Sequence, residues 1–463
     1  MSLKIYNTLT KKIEKFIPIN DDQVNLYTCG PTVYDYAHIG NFRTFLFEDL
    51  LKRWLIHLGY NVRHIMNITD VDDKTIQKSI QEKKTLFFIT EKYTKAFLRD
   101  LSWLNILPAD HFPKATDYID QMIKLIKDLI KKDMAYIDQG GSVYFRIESS
   151  PNYGLLANLK IENHQKSKRV LNDEYSKESI NDFALWKAYK EDDGDIYWDS
   201  PWGKGRPGWH IECSAMSMAE LGCHFDLHCG GVDNIFPHHE NEIAQSEGAT
   251  GKKFVNYWMH SEFLLVDGGK MSKTIGNIFK IKELKELNFS AESIRYQLLS
   301  AHYRTKVNFS KLKKNENDRV VQRFLSFYNL LKINNADIIE NTNLPDEYLK
   351  FKEKMNNDLD APQALGVFFV WMKKTTNEII NKKISKEKMG SAWSFLIVFN
   401  SVFGFIDTEE ALIPDEINSI LKIRDKARNE RNWLYADILR GELLSLGWIV
   451  EDTEQGQRVS KKK

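Results

Sequence analysis

The chain has 463 residues, of which 42% are hydrophobic and 28% charged, with a net charge of +1. That composition excludes a disordered chain and fits two to four globular domains of the usual ~100 to 150 residues. No apolar run reaches the ~18 residues of a membrane helix, and the start, Met1-Ser2-Leu3-Lys4 with Lys11, Lys12 and Lys15 behind it, lacks the apolar stretch of a secretory signal, so a cytoplasmic protein without membrane contact is expected. Four cysteines, Cys29, Cys213, Cys223 and Cys229, are too few for a disulfide scaffold and read as reduced thiols or metal ligands.

Residues 24–29 alternate like a strand, 30–39 are turn-rich, and 42–58 carry Phe42, Phe45, Leu46, Leu50, Trp54, Leu55 and Leu58 at helical spacing. Residues 62–68 read as the next strand, ending in the acidic turn Thr69-Asp70-Val71-Asp72-Asp73. This is a parallel βαβ unit, whose site is expected at the C-terminal ends of the strands. Residues from about 115 to 205 read as an insertion, with a charged stretch at 164–177. The α/β pattern resumes with a strand over 225–228, a turn at Gly230-Gly231-Val232-Asp233 and a helix from about Pro237. Beyond Asn277 the pattern is helical almost to the end, with helices expected around 291–303, 319–331 and 348–374 and a mobile basic tail over 456–463.

Two short segments carry phosphate chemistry. In His38-Ile39-Gly40-Asn41 a glycine between two donors at a helix start lets backbone approach an anion, and the helix N-terminus adds positive potential. In Lys270-Met271-Ser272-Lys273-Thr274, two lysines three apart follow the flexible turn Asp267-Gly268-Gly269 and can swing onto a pyrophosphate. Alone, each also reads as an ordinary helix cap or surface turn. Together they resemble the two signatures of class I aminoacyl-tRNA synthetases, HIGH and KMSKS, each with one departure: Asn41 for the second histidine and Thr274 for the last serine.

The cysteines bear on the substrate. Cys29 closes the first strand, Cys213 follows Gly208-Trp209-His210-Ile211-Glu212, and His238 and Glu242 stand four apart on one helical face, where both can reach one metal. Cys29, Cys213, His238 and Glu242 would suit zinc; spacing alone leaves open a rival set of Cys223, His224, His228 and Cys229. Residues 27–35, 67–74, 205–216 and 236–246 are similar to cysteinyl-tRNA synthetases over most of the first 310 residues.

The resemblance implies an α/β fold: a Rossmann-type parallel-sheet catalytic domain over 1–275 with the insertion at about 115–205, a stem-contact linker over 276–320, and an all-α C-terminal region. In the latter, a helical bundle spans 321–405 and a small anticodon-binding region with a basic tail spans 406–463. It implies ATP-dependent activation of L-cysteine and transfer to tRNA(Cys) by a monomer, with one Zn2+ held by Cys29, Cys213, His238 and Glu242, and Mg2+ accompanying ATP. His38, Asn41, Lys270 and Lys273 would be catalytic; Gly40, Gly231, Asp233 and Ser272 would join them around ATP. Thr69, Trp209 and His228 would contact the amino acid, and Glu242, the weakest ligand, would yield to the substrate's sulfur. Lys422, Arg424, Lys426, Arg428 and Arg431 ahead of Trp433 and Tyr435 suit unpaired bases, or simply a solvated helix face. Two other readings share parts of the pattern: a ligase passing cysteine to an amino sugar, which lacks the long helical C-terminal region, and a scaffold protein, which has no need of the two signatures.

Overall fold

Four parallel strands form the central sheet, in the order β4-β3-β1-β2: β1 (Gln23–Thr28), β2 (Asn61–Met66), β3 (Phe225–Gly231) and β4 (Val255–Ser261). In the computed structural model, residues 2–159, 169–170, 181–271, 277–334, 336–339, 343–406, 415–453 and 456–461 are described. They fall into two units, Met1–Phe405 and Ile406–Lys463. No helix among the described residues is long and apolar enough to cross a membrane.

The sheet's register pairs His228 with Tyr27 on one side and Trp258 on the other, and Gly230 with His260. Helix α1 (Ile39–His57) follows β1; α2 (Trp209–Leu221) and α3 (Glu240–Thr250) flank β3. Every residue of β3 is buried, as a parallel strand covered on both faces must be. The expected turn at Gly230-Gly231 is therefore still strand. A Cβ at Gly230 would lie 2.8 Å from Cε1 of His239, so only glycine fits there. Regular helix begins at Glu240 rather than Pro237, because Phe236 is extended (φ −138°, ψ 131°) and breaks the first turn.

Between β2 and α2, a separate sheet takes in Ala135–Ile137, Val143–Phe145, Arg169–Val170, Asp182–Ala188 and Gly205–Pro207. The charged stretch 164–177 lies outside the described residues but for 169–170. The later part of the first unit is helical: Ala291–Leu299, Lys314–Ile333, Asp346–Asn356, Ala361–Ile380 and Lys386–Phe403. The single helix expected over 348–374 is two. Asp358 and Leu359 adopt left-handed φ, 58° and 54°, and Asp360 caps the second helix with Pro362 in its first turn.

Helix α1 is gripped far from its N-terminus. Asp49, fully buried, accepts from Arg53 Nε at 2.9 Å, Arg295 Nη2 at 2.7 Å and the Leu107 N–H at 2.9 Å. The two guanidiniums go on to donate to carbonyls of Ser401 and Phe403, at 3.1 and 2.9 Å. Burial raises the Asp49 carboxyl, but Arg53 and Arg295 outweigh it and hold it below the usual carboxylate range.

The second unit is helical over Asp415–Asn429 and Trp433–Ser445 and ends in an antiparallel hairpin, β5 (Trp448–Thr453) and β6 (Gly456–Lys461). The helical C-terminal region thus closes on a two-stranded ribbon where a mobile tail was expected; Lys462 and Lys463 lie outside the described residues. Ile417, Leu421, Leu443, Trp448 and Val450 form its core.

A candidate metal and nucleotide site at the end of the parallel sheet

The C-terminal ends of β1 and β2 lead into loops that pair with each other: Thr69 N–H donates to Pro31 O at 3.2 Å and Val33 N–H to Thr69 O at 3.1 Å. This sets Thr69 opposite Thr32, three residues beyond Cys29, at the strand ends where open parallel sheets bind ligands. From the other face, α2 brings Cys213 and α3 brings Glu242, while the irregular turn before α3 brings His238.

One donor atom from each of Cys29, Cys213, His238 and Glu242 lies within 4.8 Å of the others. His238 Nε2 is 3.1 Å from Glu242 Oε1, as the four-residue spacing predicts. Of the rival set, only His228 is in the cluster; Cys223 is exposed, and Cys229, next to His228 in β3, points to the opposite face near Glu48. Burial and the hydrogen bond with Cys213 push the Cys29 thiol up. The Cys213 thiol is buried too, but hydrogen bonds with Cys29 and Tyr27 pull it below the usual value, so the two behave as one proton-sharing pair. Burial raises the Glu242 carboxyl, and His228 offsets only part of that.

The residues fit a borderline-soft cation. Two sulfurs, an imidazole and a carboxylate are a zinc-type donor set, and Glu242 Oε1 is buried and accepts no hydrogen bond, so a cation would give its lone pairs a partner. Trp209 stacks on His238, ring centroids 4.3 Å apart and 23° between planes. Thr69, fully buried, accepts from Asn67 Nδ2 at 3.1 Å, and His228 Nε2 sits 2.9 Å from Glu242 Oε2.

His38 and Asn41 form a capping box at the start of α1. Asn41 N–H donates to His38 Nδ1 at 3.3 Å and His38 N–H to Asn41 Oδ1 at 3.0 Å. A ring that accepts at Nδ1 carries its proton on Nε2 when neutral, so His38 presents a donor outward, and Asn41 keeps its amide NH2. The second signature approaches from the side. A Cβ on Gly40 would collide with Met271 Cε, and Ile39 N–H donates to Phe279 O at 2.8 Å. Lys280 reaches Asp35 at 2.9 Å. Lys270 ends a short strand paired with Leu265; Ser272, Lys273 and Thr274 lie outside the described residues. Gly231 N–H donates to Asn234 Oδ1 at 3.1 Å in the turn after β3, where Asp233 is exposed.

Sequence reasoning missed three histidines in this cluster. His239 Nε2 lies 3.2 Å from Cys29 Sγ, His239 Nδ1 is 2.8 Å from His260 Nε2, and His210 Nδ1 is 2.9 Å from His238 Nδ1. The doublet His238-His239 was a visible signal; His260 depended on a strand, β4, that was not anticipated. In the second unit, Arg424 is buried and bound to Asp452 at 2.9 Å and Gln457 at 2.7 Å, so it is not part of an exposed basic face. Lys422, Lys426 and Arg431 are exposed, as are Trp433 and Tyr435.

A family model for the class I (C) tRNA synthetase catalytic domain matches residues 15–318, a DALR domain model matches 350–407, and a cysteinyl-tRNA ligase anticodon-binding domain model matches 411–459. The Cysteine--tRNA ligase of Chlamydia felis is 48% identical over 99% of this chain and 98% of its own. That of Brachyspira hyodysenteriae is 47% identical over 99% of both. Among solved structures, Mycobacterium tuberculosis methionyl-tRNA synthetase in complex with methionyl-adenylate matches with a TM-score of 0.59 at 13% identity, over 83% of this chain and 90% of that one. The Agrobacterium radiobacter LeuRS–tRNA–LeuAMS ternary complex also reaches 0.59, at 10% identity over 84% and 85%; these two speak for the fold alone. With its catalytic fold and both C-terminal modules matched, and close to half its residues identical to such relatives from end to end, the chain belongs to the cysteine–tRNA ligases, a family of class I aminoacyl-tRNA synthetases.

Proposed function

We propose that the chain activates L-cysteine with ATP and passes it to the 3′ end of tRNA(Cys), one Zn2+ in the pocket selecting thiol over hydroxyl. The observation that carries this is the convergence of Cys29, Cys213, His238 and Glu242 within 4.8 Å at the end of the sheet whose first helix begins at His38. These four residues would hold Zn2+, a borderline-soft Lewis acid that would favour a thiolate over a neutral hydroxyl. Shape alone separates such small differences by only ~1 to 3 kcal/mol.

The rest is the work of the chain's own side chains. Trp209, half-buried against His238, walls the pocket, while Thr69 and His228 orient the amino acid. The substrate carboxylate attacks the α-phosphate in line, forming cysteinyl-adenylate as pyrophosphate leaves with Mg2+. Nε2–H of His38 and the amide of Asn41 donate to the charge that grows there, and Lys270, Ser272 and Lys273 close over the pyrophosphate. Gly40 admits the phosphates close to backbone, and Gly231 and Asp233 hold the ribose. The terminal ribose hydroxyl of the tRNA then attacks the adenylate's carbonyl carbon and AMP departs. In this reading Glu242 would be the ligand that gives way to the substrate's sulfur, residues 276–320 touch the acceptor stem, 321–405 form a helical bundle, 406–463 bind the anticodon, and the enzyme works as a cytoplasmic monomer.

ATP–pyrophosphate exchange across amino acids, followed by charging of tRNA, tests this. Exchange with cysteine and not serine, and charging of tRNA(Cys), are expected; equal exchange with serine would refute metal-based selection. Lys273→Ala should cut exchange while leaving cysteine binding intact.

A further inference from the structure

The metal reading uses one face of a larger cluster. We propose that Cys29, His228, His239 and Glu242 form a second position for the same divalent, borderline-soft cation, sharing Cys29 and Glu242 with the first. This inference rests on the proposed metal site and extends it.

Donor atoms of these four residues also lie within 4.8 Å of one another. A tetrahedral ion with bonds of ~2.0 to 2.1 Å to nitrogen and oxygen sets its donors ~3.3 Å apart. His228 Nε2 to Glu242 Oε2 is 2.9 Å, and His239 Nε2 to Cys29 Sγ is 3.2 Å where the longer bond to sulfur sets an edge of ~3.6 Å, so each lies within ~0.4 Å of the ideal. The first set's His238–Glu242 separation, 3.1 Å, lies closer to the nitrogen–oxygen edge, as befits the principal position.

Glu242 joins the two sets, turning Oε1 toward His238 and Oε2 toward His228. His239 is built like a ligand rather than a filler. Its Nδ1 meets His260 Nε2 at 2.8 Å, and His260 Nδ1 meets Thr8 Oγ1 at 2.8 Å, a second shell that orients the ring and leaves Nε2 facing Cys29 and Glu242. Gly230 is the residue that admits this ring. His228, His239 and Glu242 are wholly buried, so no solvent competes for their donors.

Because two ligands are shared, the positions exclude each other. An ion whose contact with Cys213 or His238 breaks can step across rather than leave.

The test uses the full chain, loaded with Co2+ after removal of endogenous metal and then dialysed. Wild type, bound through two thiolates, gives a strong sulfur-to-cobalt band. Cys213→Ala is expected to keep one Co2+ per chain with about half that band, since one thiolate remains. Adding His239→Gln to Cys213→Ala should empty the site; a double variant that keeps its cobalt shows that Cys29, His238 and Glu242 suffice and overturns the second position. Cys213→Ala without cobalt, beside a loaded wild type, overturns the second position alone; a wild type that binds none overturns the metal reading as well. If circular dichroism shows Cys213→Ala unfolded, His238→Asn replaces it, with the same expected loading and the same loss on adding His239→Gln; an empty His238→Asn likewise overturns the proposal.

Discussion

Asn41 stands where the family signature has a histidine, and the capping box divides its side chain into two separable jobs. Its Oδ1 accepts from His38 N–H at 3.0 Å, which holds the start of α1, while its NH2 is the donor proposed for the phosphates. Asn41→Asp keeps the acceptor and puts a negative charge in the first turn, where the helix favours it, but removes the donor. Asn41→Ala removes both. Loss of the Asn41 acceptor removes one hydrogen bond of the capping box, worth about 0.5 to 1.5 kcal/mol of stability. Loss of one donor to developing charge is worth about 2.7 to 4 kcal/mol, or about 10² to 10³ in rate. Asn41→Asp should therefore melt at or above the wild-type temperature while its cysteine-dependent pyrophosphate exchange falls by about two to three orders of magnitude. Asn41→Ala should lose both stability and rate. Wild-type exchange by Asn41→Asp would refute the donor role and leave Asn41 as a cap alone.

Asp49→Asn leaves Arg53 and Arg295 buried without their counter-charge and should destabilise the first unit by about 3 to 5 kcal/mol in urea unfolding followed by near-ultraviolet circular dichroism. Since the folded Asp49 carboxyl lies below its unfolded value of about 3.9, its stabilisation is full above that pH and disappears as pH falls through the lower folded value; the variant should lack that part of the acid slope. Arg424→Ala should loosen the hairpin of the second unit by about 1 to 3 kcal/mol, seen as faster amide exchange over 448–461, with cysteine-dependent exchange unchanged. Stripping metal with a strong chelator should abolish that exchange, and Zn2+ should restore it; full activity in the metal-free enzyme would contradict the role given to the cluster.

The strand, loop and helix from residue 23 to 57 were legible because alternation gave way to helical spacing at a glycine-bearing cap. The four-residue spacing of His238 and Glu242 was equally plain, whereas bringing Cys29 and Cys213 to them depended on sheet order, which no local pattern encodes. The break at Asp358 was written in Asp360 and Pro362, a cap and a first-turn proline, but the apolar spacing on either side concealed it. The C-terminal hairpin was hidden by its composition: Gln457, Arg458, Ser460 and Lys461 look like a tail until Trp448 and Val450 supply a core to lie against. Arg424 misled for a related reason, since charge in a sequence does not say whether a carboxylate waits for it.

Helix α1 has 19 residues and so spans ~28 Å, from the signature at His38 to the turns around His57. Its far half is fastened by Asp49, Arg53 and Arg295 to backbone carbonyls near the end of the last helix of the first unit. The position of His38 is thus fixed partly by residues more than 340 places later in the chain, as the 348-residue separation of Arg53 and Ser401 shows. A fragment ending near residue 318, where the catalytic family model stops, would keep the bonds of Arg53 and Arg295 to the carbonyls of Leu104 and Asn105 but lose those to Ser401 and Phe403, and the rod would be held on one side only. The proposed activation step should then weaken in such a fragment, and recombining this catalytic half with another enzyme's helical region would have to transplant the fastening as well.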